Sequence, residues 1–204
     1  MLDKIHWFGQ SAFLIESSSG NIYIDPAKIR EGLPPADLIL ITHAHGDHCS
    51  PADIKRLYKV DTAIVSSSSV AKKLSFPVKV VRPGDKLQVK GVNIEVFYAY
   101  NIKKPFHPKS EDNLGYLFEA DGTRFYHAGD TDNIPEMASI RADIAMLPIG
   151  GTFTMDARSA SEAANLINPK IAIPMHWGGG LGSKKDALEF KKLCSVEVQI
   201  LEEQ

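Results

Sequence analysis

Apolar residues in this chain gather in short clusters, cut apart by glycine, proline or small polar residues, and the spacing within each cluster predicts what it forms. Residues 5–8, 12–16 and 21–25 are brief apolar or alternating runs separated by Gly9 and by Ser17-Ser18-Ser19-Gly20. They read as three strands, the last two joined by a hairpin turn. A loop rich in proline and glycine, 26–35, leads to Ala36-Asp37-Leu38-Ile39-Leu40-Ile41-Thr42. That nearly unbroken apolar run is what a strand buried on both faces requires. A helix is expected directly afterwards: Ser50 suits the N-cap, Pro51 the first helical position, and Ile54 and Leu57 share a face.

The alternation continues with a strand at 62–65, a capping turn in the serine run 66–69 and a short helix at 70–74. Residues 78–100 read as meandering strands punctuated by Pro83-Gly84-Asp85 and Lys90-Gly91, and 101–113 as a polar loop. A hairpin follows, 114–119 and 123–127 about a turn at 120–122. The final third predicts a strand at 144–147, a helix at 157–167, a strand at 171–174, a helix at 184–194 capped by Ser183, and a last strand at 196–201. Strands followed by helices occur twice, with no linker and no solenoid repeat. One domain over residues 1–204, two sheets packed together with helices outside, fits that order.

Composition narrows the function classes. The 204 residues are 44% apolar and 24% charged with a net charge of -2, as in an ordinary globular protein, and the charges are spread rather than blocked. Nothing in that balance marks a nucleic-acid or anionic-membrane partner. Two cysteines, Cys49 and Cys194, are too few for a disulfide framework. The first residues carry Asp3 and Lys4 and lack an apolar stretch of signal-peptide length, and no segment approaches the roughly 18 uninterrupted apolar residues of a membrane span. The expectation is a cytoplasmic protein acting on a small molecule.

The chemistry concentrates at one point. The buried run ending at Thr42 is followed at once by His43-Ala44-His45-Gly46-Asp47-His48, four potential metal ligands in six residues. Imidazole and carboxylate are the ligands that zinc and related divalent ions take. Side chains two apart in an extended turn can face the same way, so His43 and His45 can share one ion while Asp47 and His48 face a second. Two later segments also follow strands: His127-Ala128-Gly129-Asp130-Thr131 and Pro174-Met175-His176-Trp177-Gly178. Asp130 can bridge two ions through its two oxygens, and His176 can complete the second site. His127, with His6, reads either as structural or as a residue that supports the ligands from behind, lying on its strand rather than at the tip. Cys49, beside His48, reads as a buried, inert thiol.

The six residues from His43 to His48 resemble the HxHxDH signature of the metallo-β-lactamase superfamily. Within it, Phe8-Gly9-Gln10-Ser11-Ala12-Phe13, Tyr126-His127-Ala128-Gly129-Asp130-Thr131 and Leu147-Pro148-Ile149-Gly150-Gly151 are similar to the small hydrolases related to ascorbate-6-phosphate lactonase. The resemblance implies a four-layer αββα sandwich with one or two divalent ions at one edge, zinc first and manganese, iron or nickel as alternatives. It also implies that Asp25 stands behind the ligands and orients them. One departure matters: the superfamily supplies a third histidine to the first ion from the end of a middle strand, and here the strand at 92–100 ends in Asn101. Either the loop bends back and His107 replaces that ligand, or Asn101 ligates through its amide oxygen, or the first site is open. An amide oxygen is the poorer zinc ligand, which favours His107.

The reaction class that follows is hydrolysis of a carbonyl or phosphoryl centre, because a bound divalent ion lowers the pKa of water to near 7. Asp47 is the group placed to take or orient the water's proton. The ester of a small molecule, either a phosphodiester or a lactone, is the leading substrate class, and a metal sensor or storage protein on the same scaffold is the alternative. Nucleic-acid cleavage is disfavoured by the charge balance. For substrate contacts, Lys104 (with Lys103 and Lys109) can meet a phosphate or carboxylate, and Gly151 within Gly150–Thr154 can offer its N–H to an anion, as can Gly178–Gly180. A homo-oligomer is compatible with a chain of this size, although no surface pattern argues for one.

Overall fold

The structure is a computed structural model that describes residues 2–204. Its first half forms a six-stranded sheet in sequential order: β1 (Ile5–Trp7), β2 (Phe13–Ser17), β3 (Gly20–Ile24), β4 (Leu38–Leu40), β5 (Ala63–Ser66) and β6 (Lys79–Val80). The first three strands are antiparallel and the rest join in parallel. The second half forms a seven-stranded sheet from β7 (Lys86–Val89), β8 (Val92–Tyr98), β9 (Leu114–Ala120), β10 (Thr123–His127), β11 (Ile144–Pro148), β12 (Ile171–Met175) and β13 (Glu197–Val198), again in order across the sheet. Four helices lie outside: α1 (Pro51–Leu57) and α2 (Ser68–Lys73) on the first sheet, α3 (Ala157–Ile167) and α4 (Lys184–Leu193) on the second.

Strand periodicity explains why the first sheet is apolar on both faces. In β2, β3 and β4 the residues Phe13, Ile15, Ile22, Ile24, Leu38 and Leu40 point into the core between the sheets. The alternate residues Leu14, Tyr23 and Ile39 enter a second core with Ile54 and Leu57 of α1 and Val70 of α2. A sheet sandwiched between helices and another sheet must spend every position on burial, hence the unbroken run around Ile39. On the far side α3 contributes Ala157, Ala160, Ala163, Ala164 and Ile167, small residues that let the helix sit close to β11. The result is an α/β fold of four layers, αββα, as the sequence predicts.

Local signals hold where hydrogen bonds can be followed. Ser50 caps α1 by accepting from Asp53 N, and Pro51 occupies the first turn. The extended run around β4 continues past its ends through Asp37 N to Asn21 O and Ile41 N to Val65 O. Two features differ from the expectation. A 3-10 turn, Pro135–Ser139, lies where no element was predicted. The terminal strand is also shorter than 196–201. It pairs with β12 only at Glu197 and Val198, after which the chain crosses to the other sheet, where Gln204 N donates to Trp7 O at 3.0 Å. Alternation cannot reveal that change of partner. Cys49 and Cys194 are both free, and among the described residues no helix is long and apolar enough to cross a membrane.

Candidate metal centre

The candidate ligands come from the loops after β4, β8, β10 and β12, at one rim of the sandwich. Three sets of ligand atoms form there, each with its atoms within 4.8 Å of one another: His43, His45 and His107; His43, His48 and Asp130; Asp47, His48 and His176. In the first set the ring nitrogens face each other, His45 Nδ1 lying 3.1 Å from both His43 Nε2 and His107 Nε2. Asp130 stands between the sets. Its Oδ1 is 3.2 Å from His48 Nε2, while its Oδ2 is 3.2 Å from His176 Nε2 and 3.6 Å from His107 Nε2. Asp47, half-buried at the mouth, reaches His48 Nε2 and His176 Nε2 at 3.7 Å each.

The donor set fits divalent ions. His48 Nε2, Asp130 Oδ1 and His176 Nε2 are buried, face one another and make no hydrogen bond. Protein interiors satisfy their buried polar groups, so lone pairs converging on a common point need a cation to complete them. His43, His45 and His107 can hold one ion, and Asp47, His48 and His176 a second, with Asp130 reaching both.

Behind the ligands one carboxylate orients two rings. Asp25, fully buried, accepts from Thr42 N at 2.7 Å and from Thr42 Oγ1 at 2.6 Å, and receives His48 Nδ1–H at 2.7 Å. That bond fixes the His48 tautomer and leaves Nε2 free to face the centre. Thr42 Oγ1, its proton committed to Asp25, accepts from His43 Nδ1 at 3.0 Å and turns that ring likewise. Thr42 was not singled out from the sequence. The available signal was its place between the apolar run and the first histidine, opposite a buried Asp25.

Electrostatics follow from this crowding. Burial lowers the His43 pKa well below the usual histidine range, with the neighbouring His48 adding to the effect. Burial also acts on His48, but with no ion bound the Asp130 and Asp25 carboxylates on either side outweigh it and hold that ring well above its usual value, so an ion taking Nε2 displaces a proton. His176 is raised to about 9, Asp130 overcoming desolvation. For Asp47 and Asp130 burial is opposed by the histidines, which keep both carboxyls ionised far below neutral pH.

The end of β8 resolves how His107 arrives. Asn101 N donates to His107 O at 2.8 Å, closing the loop back on itself, and the Asn101 amide Nδ2 donates to Phe106 O at 2.9 Å and Phe153 O at 2.8 Å. Asn101 therefore ties loops together, while His107 Nε2 faces His45. His107, His176 and Asp25 all have positive φ, 51°, 56° and 46°, a conformation costly for side-chain-bearing residues and concentrated at functional sites.

Other expected residues have different places. Lys104 is ion-paired with Asp132 and donates to Thr154 O at 2.7 Å, so its charge is spent on holding the loop rather than offered to a substrate. Gly151 N donates to Met155 O inside a turn, which leaves no N–H for an anion. His127 uses both ring nitrogens structurally, Nε2 donating to Ser11 O and Nδ1 accepting from Gly129 N. Cys49 lies in the helix-side core, and burial pushes its thiol up to about 11. Phe106, Phe153 and Leu181 line the cleft, and no sequence signal marked them as its walls.

Gly129, which aims Asp130, has a φ of +64°, and a Cβ there would stand 2.6 Å from Leu114 O and 3.2 Å from the Thr42 side chain. Gly129→Ala should destabilise the protein by about 2–4 kcal/mol, through positive φ and backbone displacement together. Urea unfolding reads this directly. A change below about 0.5 kcal/mol would mean that the Thr42–Gly129 approach is soft.

Comparison with known proteins identifies the family. The Beta-lactamase superfamily domain matches residues 4–176. A UPF0173 metal-dependent hydrolase of Thermococcus kodakarensis is 32% identical over 220 residues, covering 97% of this chain and 95% of that one. Among solved structures, a candidate metal-dependent hydrolase from Parabacteroides distasonis is 34% identical with a TM-score of 0.89, over 98% of this chain and 93% of that one. Igni18, a metallo hydrolase from Ignicoccus hospitalis, is 27% identical with a TM-score of 0.80, over 97% of this chain and 94% of that one. The chain belongs to the β-lactamase superfamily and, within it, to the UPF0173 metal-dependent hydrolase family.

Proposed function

We propose that the protein is a cytoplasmic zinc-dependent hydrolase that cleaves an ester of a small molecule, a lactone or a phosphodiester. The observation that carries this reading is the convergence of two sets of ligand atoms on Asp130, with Asp47 beside them at the open mouth. A divalent ion held by these groups supplies Lewis acidity and brings the ionisation of water close to neutral pH. Imidazole and carboxylate without thiolate suit zinc, and manganese, iron or nickel take the same donors.

The chain's own residues do the rest. Asp47, ionised at neutral pH and open to the cleft, accepts the proton of the attacking water at a carboxylate oxygen and orients its lone pair. Asp25 and Thr42 keep His48 and His43 from rotating, so the centre costs no reorganisation as charge develops. Phe106 and Phe153 keep bulk water off one side of the cleft.

Protein stripped with chelator and reconstituted with zinc should hydrolyse at least one of three probe classes: p-nitrophenyl carboxylic esters, simple lactones, or bis(p-nitrophenyl) phosphate. Chelator should abolish turnover, and Asp47→Ala should reduce it by about 10²–10⁴-fold. Zinc-loaded protein inert toward all three, or unaffected by Asp47→Ala, would refute the reading.

A further inference from the structure

The cleft in front of the histidines is small and apolar-walled. It is an open cleft of about 180 Å³ with His45, Asp47, His107, Asp130 and His176 at its base and Phe106, Phe153 and Leu181 at its sides. A space of that size takes one compact substituent rather than an extended chain. The Phe106 and Phe153 rings meet edge to face at 4.7 Å between centroids. Phe106 is 41% exposed, a large aromatic side chain kept at the surface beside the centre. The pair is built into the fold, since one amide, Asn101 Nδ2, donates to the backbone carbonyls of both residues.

Two of the three lysines on the adjoining loop are already engaged, and the third, Lys103, is exposed and does not line the cleft. Lys104 is held by Asp132 and Thr154 O. Lys109 pairs with Glu136 at 2.7 Å and lies 4.6 Å from the ring centres of both Tyr98 and Tyr100. No lysine or arginine lines the cleft, where the acidic side chains are Asp47 and Asp130. An anionic substituent away from the reacting ester would therefore lie against the aromatic side walls, desolvated and with no lysine or arginine to pair with it. An apolar substituent instead gains burial against two rings.

We infer that the cleft selects a small ester or lactone whose acyl or alkyl group is uncharged and apolar, seated between Phe106 and Phe153 and against Leu181. The inference rests on the hydrolase reading and narrows it away from substrates bearing a phosphate or a second carboxylate. Phe106 and Phe153 are then the residues that determine specificity.

Binding of hydroxamates, which chelate zinc whether or not the protein turns over a substrate, tests it. The probes are acetohydroxamate, benzohydroxamate and phosphonoacetohydroxamate, titrated calorimetrically into zinc-reconstituted protein. Benzohydroxamate should bind about tenfold tighter than acetohydroxamate, and the phosphonate no tighter than acetohydroxamate. Phe106→Ala and Phe153→Ala should each cut the benzo preference to about threefold or less at wild-type zinc content. Equal affinity for the first two probes, tightest binding of the phosphonate, or a preference kept in both variants overturns the inference alone. Zinc-loaded protein that binds none of the probes overturns it together with the hydrolase reading.

Discussion

Asp130→Asn should cost about 10³-fold in turnover and at least one of about two equivalents of bound metal. Asparagine keeps the size and shape of the side chain, so packing is preserved and the change isolates charge and donor chemistry. Asp130 is fully buried and touches His48, His176 and His107 through its two oxygens. An amide has one oxygen to offer, a poorer ligand for zinc, and its NH₂ must point at one of those imidazole nitrogens. Transition-state stabilisation by a metal centre is worth several kcal/mol, and each 1.36 kcal/mol is a decade in rate, hence the size of the effect. Plasma mass spectrometry of purified wild type and variant gives the metal count, and the p-nitrophenyl assay gives the rate. A variant with unchanged metal content and less than about tenfold loss of rate would place Asp130 outside the centre, leaving the two ligand sets unconnected.

How far the sequence reveals such a centre depends on how local each contact is. His43, His45, Asp47 and His48 are legible because four donors fall in one turn beyond a strand that periodicity identifies. That strand is legible because a sheet covered on both faces cannot afford polar positions. The Asp25–Thr42–His43 relay is less so: it depends on β3 and β4 running side by side, a parallel pairing that no local pattern states. Lys104 illustrates the opposite error. Its charge is visible in the sequence and its neutralising partner is not, since Asp132 comes from a loop 28 residues away. The terminal strand fails for the same reason, its hydrogen bonds being divided between two sheets.

His107 tests this distinction between local and long-range information most directly. Position 101, three residues past β8, is where the resemblance to the superfamily leads one to expect a histidine, and here it carries an asparagine whose Nδ2 donates to the carbonyls of Phe106 and Phe153 and lies 3.4 Å from His107 Nδ1. The loop it closes returns His107 to within 3.1 Å of His45 Nδ1, with the ring pKa lowered by burial, so the imidazole is neutral and able to ligate at pH 7. A ligand relocated by six residues should behave as a ligand. His107→Ala should reduce bound zinc from about two equivalents to about one, the remaining ion being that of Asp47, His48 and His176. Turnover should fall by at least about 10²-fold, because the centre would lose the Lewis acidity of an ion held by His43, His45 and His107. His107→Asn at the same position should not restore it, since an amide oxygen is the weaker donor. Two equivalents retained in His107→Ala would mean that solvent or Asn101 Oδ1, which is buried and has no hydrogen-bond partner, completes the first set. In that case His107 serves the cleft wall beside Phe106, and the departure at position 101 is a true change of ligand rather than its displacement along the chain.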